Sequence, residues 1–95
     1  MKQPCVYILA SSRNGALYIG VTSDLIKRVY EHRSDAVDGF TKKYQVHTLV
    51  WFEMHTDMQQ AILREKQLKK WSRAAKIRLV EESNRSWSDL WADIT

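Results

Sequence analysis

Residues 5–20 hold two short apolar runs on either side of an Asn-Gly pair, and no other feature limits the fold of this chain as strongly. Val6–Ala10 and Ala16–Gly20 are rich in residues that favour β-strands, and turn-forming residues bound both runs. The pair Asn14–Gly15 tolerates the positive φ angles of a tight turn. The stretch therefore predicts a β-hairpin.

Each predicted strand carries one tyrosine, and the register decides whether Tyr7 and Tyr18 share a face of the sheet. A two-residue turn and a four-residue loop both pair an odd-numbered residue with an even-numbered one. Because side chains alternate along a strand, either register places both tyrosines on one face. With the longer loop, Tyr18 pairs with Leu9, and Tyr7 lies one diagonal step away. Two packed core tyrosines and a shared polar site are both open at this point.

The rest of the chain predicts one more strand and several helices. Thr22 or Ser23 caps a helix that runs from about residue 24 to 33, and a single helical turn is expected near 40–43. A third strand covers 46–53, where β-branched and aromatic residues are frequent. The capping box that begins at Thr56 starts a helix that runs to about residue 71. A further helix covers 73–82, and a last turn ends near Trp91. The order β-β-α-β-α-α predicts a small sheet with helices packed against it, an α/β (α+β) fold.

Length and charge narrow the class of protein. The 95 residues predict a single domain over 1–95. The net charge is +4, and seven basic residues lie between Ile62 and Arg78, where Glu65 is the one acid. Such a concentration of positive charge is typical of proteins with a phosphate-rich partner, and a solvated helix face is the alternative. The basic residues expected to contact nucleic acid are Lys66, Lys69, Lys70 and Arg73.

Cysteine usage and hydropathy point to the compartment. The single cysteine, Cys5, excludes an internal disulfide and a cysteine-built zinc site. The run Val6–Ala10 is too short for the apolar core of a signal peptide, and no stretch approaches the ~20 apolar residues of a membrane span. The expectation is a cytoplasmic protein that does not enter a membrane.

Polar residues interrupt the apolar side of the first helix. Leu25, Arg28 and His32 follow at spacings of three and four, so they share one helix face. Arg28 and His32 are therefore expected at the edge that looks towards the core, as candidates for a functional site. The alternatives are a surface salt bridge for Arg28 and a structural role for His32.

Glu65 is the only carboxylate in the apolar stripe of the capped helix. A buried carboxylate costs several kcal/mol unless it is paired or binds a cation. An arginine such as Arg28 or a divalent metal would satisfy it. Magnesium is commonly held by one carboxylate together with water and substrate phosphate oxygens. The pattern alone does not separate an ion pair from a metal site.

These residues resemble the GIY-YIG nuclease family. The two signature motifs correspond to Cys5-Val6-Tyr7 and Tyr18-Ile19-Gly20. Arg28 and His32 match the family's helix arginine and the histidine or tyrosine one turn later. Glu65 matches the metal-binding glutamate, and Asn84 matches a late asparagine. The resemblance covers nearly the whole chain, and the chain is most similar to the small stand-alone branch of the family.

The resemblance implies a three-stranded antiparallel sheet flanked by helices and hydrolysis of DNA phosphodiester bonds with one Mg²⁺ or Mn²⁺ ion. It places the metal on Glu65 and implies catalytic roles for Tyr7, Tyr18, Arg28, His32 and Asn84. We favour Tyr7 as the base, with Tyr18 orienting the water or the phosphate, and the reverse assignment stays open. Asn84 either holds the loop or contacts the cleaved bond. The implied context is DNA repair or processing.

The first motif, the function and the partner each leave alternatives open. Cys5 stands where the family's first motif has glycine, a departure that a strand accommodates and that we do not expect to inactivate the protein. A non-catalytic nucleic-acid-binding module with the same fold is the second hypothesis, and a protein-interaction domain based on the four tryptophans is the third. Single-stranded, double-stranded and branched DNA are all open as partners, as are a protein partner and a weak oligomer.

Overall fold

The computed structural model describes residues 2–13 and 15–95. Asn14 lies outside the described residues, so the predicted turn is followed here only through its neighbours. The elements along the chain are β1 (Cys5–Ala10), β2 (Leu17–Thr22), α1 (Leu25–Arg33), α2 (Phe40–Lys43), β3 (Thr48–Met54), α3 (Met58–Lys70), α4 (Arg73–Ser83) and α5 (Trp91–Ile94).

The strands form an antiparallel sheet in the order β2-β1-β3, which confirms the predicted architecture. Tyr18 pairs with Leu9, and Tyr7 pairs with Gly20. This is the register of the longer hairpin loop, and it places both tyrosines on one face. An irregularity in the ladder lies between Ile8 and Leu9 in the pairing of β1 with β3. The pairing of β1 with β2 is regular, so the face assignment of the tyrosines is unaffected.

Helices cover both faces of the sheet. One face packs against α3 and α4 through a cluster that includes Ile8, Ile19, Leu68 and Val80. The other face carries Tyr7 and packs against α1 and α5. All residues of β1 are buried, because β1 is the central strand and is covered on both faces. β2 is an edge strand, so groups from both faces can meet beside it.

The helix caps differ from the sequence prediction by one or two residues. Asp24, not Thr22 or Ser23, is the N-cap of α1, and its side chain accepts a hydrogen bond from Lys27 N at 3.3 Å. Asp57, not Thr56, is the N-cap of α3 and accepts from Gln60 N at 2.8 Å. In both cases the aspartate lies three residues before an N–H group that lacks an intrahelical partner, which is the spacing that a capping oxygen requires.

Strand bounds follow the pairing partners rather than local composition. β2 extends to Thr22 because β1 continues to its partner Cys5. β3 begins at Thr48 rather than residue 46, because Thr48 pairs with Ala10, the last residue of β1. The final helix begins at Trp91 instead of ending there. Among residues 2–13 and 15–95, no helix has the length and apolar character needed to cross a membrane.

Candidate active site

Tyr7 lies at the centre of the sheet with its ring over the backbone of β2. Its side chain is buried, and its strand partner is Gly20. A Cβ atom on Gly20 would lie 2.4 Å from the Tyr7 hydroxyl oxygen. No side chain fits in that space while Tyr7 keeps its position. The glycine of the second motif is therefore needed for the close approach of the tyrosine, not for an unusual backbone angle.

His32 links Tyr7 to α2. The buried imidazole lies on α1, and its Nε2 atom is 3.1 Å from the Tyr7 hydroxyl oxygen. Its Nδ1 atom is 3.0 Å from Oγ1 of Thr41, which is also buried. We call Tyr7, His32 and Thr41 the hydrogen-bonded triad. His32 therefore contacts the tyrosine of the first signature motif.

Burial shifts both titratable members of the triad towards their neutral forms. Burial lowers the pKa of His32 to about 4, and the positive charge of Arg28 adds to this effect. Burial raises the pKa of Tyr7, and the neighbouring Tyr18 raises it further, while the Arg28 guanidinium lowers it. At neutral pH the triad therefore holds an uncharged phenol beside an uncharged imidazole.

The shifted histidine predicts how stability depends on pH. In the unfolded chain His32 has its ordinary pKa of 6.5, so between pH 6.5 and 4 the unfolded state binds more protons than the native state. The free energy of unfolding is expected to fall as the pH drops through this range, by roughly 3 kcal/mol in total. Urea unfolding of wild type and His32→Gln at pH 7.5, 5.5 and 4.5 measures it. His32→Gln should lose much of the pH dependence, and His55→Gln, the control, should keep it. Equal losses of stability in wild type and His32→Gln would contradict the assignment.

Tyr18 lies beside the triad. Its ring centroid is 6.3 Å from that of Tyr7 and 5.3 Å from that of His32. On its other side it stacks with Phe40 of α2, with centroids 6.4 Å apart. The shared face predicted from the hairpin register thus brings the two tyrosines together with His32, and the residues form a polar group rather than an apolar core pair.

Arg28 is partly exposed at the edge of the triad. Its side chain is 36% exposed and forms an ion pair of 3.4 Å with Glu31, one turn later on α1. The guanidinium is close enough to Tyr7 to act on the pKa of its hydroxyl. It also lines a polar cavity of about 300 Å³ together with Lys27 and Glu31. Arg28 therefore lies between the buried tyrosine and a space that solvent and a charged ligand can reach.

Glu65 is partly buried, as its place in an apolar stripe predicted, with a side chain that is 14% exposed. Its partner in the structure is Lys69 at 3.2 Å, one turn later on α3, and not Arg28. The reason is local, because residues four apart lie on the same helix face. No group of three or more His, Cys, Asp or Glu side chains suited to a metal occurs in the described part of the chain. A single carboxylate fits a hydrated Mg²⁺ or Mn²⁺ ion, which takes its other ligands from water and phosphate, and does not fit zinc.

Side chains from the two faces of the sheet meet beside the edge strand β2. Tyr18 faces α1, whereas α3 packs on the opposite face of the sheet. Residues from both faces nevertheless line one cavity of about 280 Å³. Tyr18 and Phe40 line it from one side, and Lys69 of α3 lines it from the other. Because Lys69 forms an ion pair with Glu65, this cavity lies between Tyr18 and the surroundings of Glu65.

Asn84 lies apart from the triad. It ends α4 and donates hydrogen bonds to the carbonyl oxygens of Val50 at 3.0 Å and Ser88 at 2.9 Å. Its side-chain oxygen accepts from Ser88 N at 3.0 Å. All these partners are backbone groups of β3 and of the segment after α4. Of the two roles considered for Asn84, this geometry supports holding the loop.

The four basic residues predicted to contact nucleic acid lie on α3 and α4 and have different surroundings. Lys66 and Lys70 are exposed, and Arg73 donates a hydrogen bond to Gly15 O at 2.6 Å, beside the hairpin loop. Lys69 lines the cavity at β2 together with Lys76, which was not among the predicted contacts. Thr41 and Phe40 were likewise not predicted as site residues. The stretch from Gly39 to Tyr44 resembles the family's sequence at this place, which is the signal that could have found them.

Comparison with known proteins agrees with this arrangement. The model of the GIY-YIG catalytic domain matches residues 3–78. The chain therefore belongs to the GIY-YIG family, whose members are nuclease domains. Within that family it is similar to UPF0213 proteins, which are small stand-alone domains. It is 32% identical to the UPF0213 protein of Staphylococcus saprophyticus over 82 residues, which cover 86% of this chain and 99% of that protein. It is 37% identical to the UPF0213 protein of Syntrophus aciditrophicus over 84 residues, which cover 87% and 95% of the two chains.

A solved structure shares the fold. The solution NMR structure of the UPF0213 protein BH0048 from Bacillus halodurans matches with a TM-score of 0.57 at 26% identity, and the match covers 92% of each chain. The three-stranded antiparallel sheet with its flanking helices is thus shared with this UPF0213 protein.

Proposed function

We propose that the protein is an endonuclease that hydrolyses DNA phosphodiester bonds with one divalent metal ion, Mg²⁺ or Mn²⁺. The observation that carries the proposal is the buried Tyr7 hydroxyl, hydrogen-bonded to a neutral His32 and influenced by Arg28, in a chain of a nuclease family. A core tyrosine that only fills space needs neither a buried histidine partner nor an arginine beside it.

Glu65 is the residue that we propose holds the metal ion. Its side chain is mostly buried and carries a negative charge that Lys69 neutralises from one side. A bound divalent ion would stabilise the charge that develops on the cleaved phosphate and on the leaving oxygen. Lys69 then becomes free to contact a phosphate, since its side chain is 51% exposed.

The proton of the attacking water is proposed to pass to Tyr7. Burial raises the pKa of this tyrosine, so its resting form is the neutral phenol. A neutral phenol accepts a proton only if its own proton leaves at the same time. His32 Nε2 lies 3.1 Å from the hydroxyl oxygen, and the imidazole is uncharged at neutral pH because burial lowers its pKa to about 4. The uncharged Nε2 atom can therefore receive the phenolic proton while Nδ1 donates to Thr41, and because the pKa of His32 is low, it releases that proton to solvent once the bond is cleaved. Arg28 opposes the effect of burial on the pKa of Tyr7.

Arg28 and Tyr18 are proposed to position the phosphate. The Arg28 guanidinium is partly exposed beside Tyr7, and arginine binds phosphate oxygens through paired hydrogen bonds that strengthen as charge develops. Tyr18 lies between His32 and Phe40 and can orient the water or the phosphate. Asn84 is proposed to act at a distance, by fixing the segment after α4 through its backbone hydrogen bonds.

DNA is proposed to bind through the basic residues of α3 and α4. Lys66, Lys69, Lys70 and Arg73 supply positive charge, and such contacts set affinity for phosphate rather than sequence preference. In this proposal residues 1–95 act as one domain. The proposal extends to a role in DNA repair or processing in the cytoplasm, which nuclease-family membership and the lone, buried cysteine support.

The proposal is tested by incubating plasmid DNA and oligonucleotides with the protein in Mg²⁺ or Mn²⁺, with and without excess EDTA. We expect cleavage that EDTA abolishes and that added metal restores. The proposal would be refuted if neither Mg²⁺ nor Mn²⁺ supported cleavage, or if cleavage were equal in excess EDTA. Salt-sensitive DNA binding without cleavage would instead favour the non-catalytic binding module.

A further inference from the structure

Large aromatic surfaces lie exposed next to the candidate active site. Phe40 is 44% exposed and Tyr44 is 48% exposed, both at the short helix α2. Their ring centroids are 4.8 Å apart, and Phe40 also stacks with Tyr18. The rings of Tyr18, Phe40 and Tyr44 thus form a continuous aromatic surface, the aromatic row, that leads from the triad to solvent. A stable fold does not require such rings to be exposed, and an exposed aromatic group beside a site is typical of a binding surface.

The aromatic row is held in place by the triad itself. Thr41, the residue after Phe40, is buried and contacts His32 Nδ1. Thr41 O accepts a hydrogen bond from Val46 N at 2.8 Å, which ties α2 to the chain that enters β3. Gly39 precedes α2 with a φ of 107°, an angle that glycine adopts readily and other residues do not. Phe40 therefore has a fixed position relative to Tyr7 and His32.

A cavity adjoins the aromatic row on the side of β2. It has a volume of about 280 Å³, and Phe40, Tyr18, Leu17 and Ile19 provide ring and aliphatic surfaces. Lys69 and Lys76 complete the lining, and Lys76 Nζ lies 3.5 Å from the carbonyl oxygen of Lys69. Aromatic and aliphatic walls with two ammonium groups suit a planar heterocycle that carries a phosphate. The volume is near the lower limit for small-molecule pockets, as expected for one ring system rather than a longer ligand.

We propose that Phe40 and this cavity bind one unstacked nucleobase of the substrate, adjacent to the phosphodiester bond that is cleaved. This inference rests on the proposed nuclease function, because it takes the ligand of the cavity to be part of the substrate. The base stacks on Phe40 between the side chains of β2, and the neighbouring phosphate meets Lys76 and Lys69. The charge of the lining favours a nucleotide over an apolar peptide or a second copy of this chain. The stacked nucleotide fixes the strand so that the next phosphate lies at Tyr7 and Arg28.

The test combines changes in the protein with changes in the DNA. Cleavage positions are mapped first, and single abasic sites are then placed at each of several positions on either side of a cleaved bond. We expect Phe40→Ala to lower kcat/KM by about tenfold on intact DNA, as found for the loss of one aromatic–base stack. At one position an abasic site should lower kcat/KM of the wild type as much as Phe40→Ala does on intact DNA. On that abasic substrate Phe40→Ala should be no slower than the wild type.

Three variants separate stacking from a structural role. Phe40→Trp keeps an aromatic ring and should retain activity, whereas Phe40→Leu keeps an apolar side chain and should be impaired like Phe40→Ala. Tyr30→Ala removes an aromatic side chain that is 62% exposed on α1, outside the site, and should leave cleavage unchanged. Thermal unfolding checks that each variant is folded. Full activity of Phe40→Leu, or additive losses at every abasic position, would overturn the proposal.

A binding measurement distinguishes this proposal from the nuclease function. With EDTA present and no cleavage, a set of oligonucleotides carries 2-aminopurine at one position each. At one or more positions the fluorescence should change when wild-type protein binds, and not when Phe40→Ala binds. Metal-dependent cleavage without this difference would leave the nuclease function intact and refute the base-stacking site. The fluorescence difference without cleavage by wild type at any metal concentration would refute the nuclease function instead. A change of oligomeric state in Phe40→Ala, with unchanged DNA binding, would assign the aromatic row to a protein interface and refute the proposal.

Discussion

Replacing Tyr7 with phenylalanine is expected to lower the single-turnover cleavage rate by roughly 10²–10⁴-fold, the range typical for loss of a general base. The substitution removes one oxygen atom and keeps the ring that packs over Gly20. DNA binding should change little, because the hydroxyl is buried and its hydrogen-bond partner in the structure is His32. Stability should fall by about 1 kcal/mol, since His32 loses one hydrogen-bond partner. Rates are measured on a labelled oligonucleotide under enzyme excess.

Tyr30→Phe is the matched control for Tyr7→Phe. It removes the same atom from a tyrosine on α1 that is 62% exposed and lies outside the triad. Its rate should equal that of wild type. A Tyr7→Phe protein that cleaves at more than a tenth of the wild-type rate would contradict the role of Tyr7 as the base. A large loss in Tyr18→Phe together with an active Tyr7→Phe would reverse the assignment of the two tyrosines.

Glu65→Gln is expected to lower cleavage by roughly 10³-fold, because the metal's stabilisation of the transition state is worth several kcal/mol. Glutamine has nearly the same shape as glutamate, so the packing of α3 should persist, but it lacks the charge that holds a divalent ion. Loss of the carboxylate also removes the ion pair with Lys69. The pair joins residues one helical turn apart and is half-exposed on the Lys69 side, so it contributes about 1 kcal/mol and the protein should remain folded without it.

A readout independent of cleavage accompanies Glu65→Gln. Binding of Mn²⁺ to the protein–DNA complex, followed by electron paramagnetic resonance, should weaken in this variant and not in Glu82→Gln, an exposed glutamate of α4. Equal cleavage by wild type and Glu65→Gln would exclude Glu65 as the metal ligand. Lost cleavage with unchanged Mn²⁺ binding would assign Glu65 to a structural role.

The hairpin illustrates how much of the site is visible in the sequence. Alternation along the two strands is enough to place Tyr7 and Tyr18 on one face, because both plausible loops give the same parity. The length of the loop, and therefore the partner Gly20, follows only from the observed pairing. That partner explains the motif glycine, since a Cβ atom there would collide with the Tyr7 hydroxyl.

The partners of polar residues were less predictable. Helical spacing placed Arg28 and His32 on one face, and Glu65 in an apolar stripe, and these placements hold. The ion pair of Glu65 with Lys69 was not expected, although its spacing of four residues is visible in the sequence. The resemblance allows Asn84 either to hold the loop or to contact the cleaved bond, and its hydrogen bonds to β3 and to the segment after α4 support the first role.

The order of the strands and helices along the chain, the shared face of the tyrosines and the family can all be read from the sequence, because these depend on local periodicity and on the spacing of motifs. Three contacts are visible only in the folded chain: His32 bridges Tyr7 and Thr41, Phe40 extends the aromatic row, and Lys69 and Lys76 share a cavity with Tyr18. These contacts join residues of different elements, and their geometry follows from how the helices pack around the edge strand β2. Burial, which sets the pKa of His32 and Tyr7, is likewise a property of the packed chain.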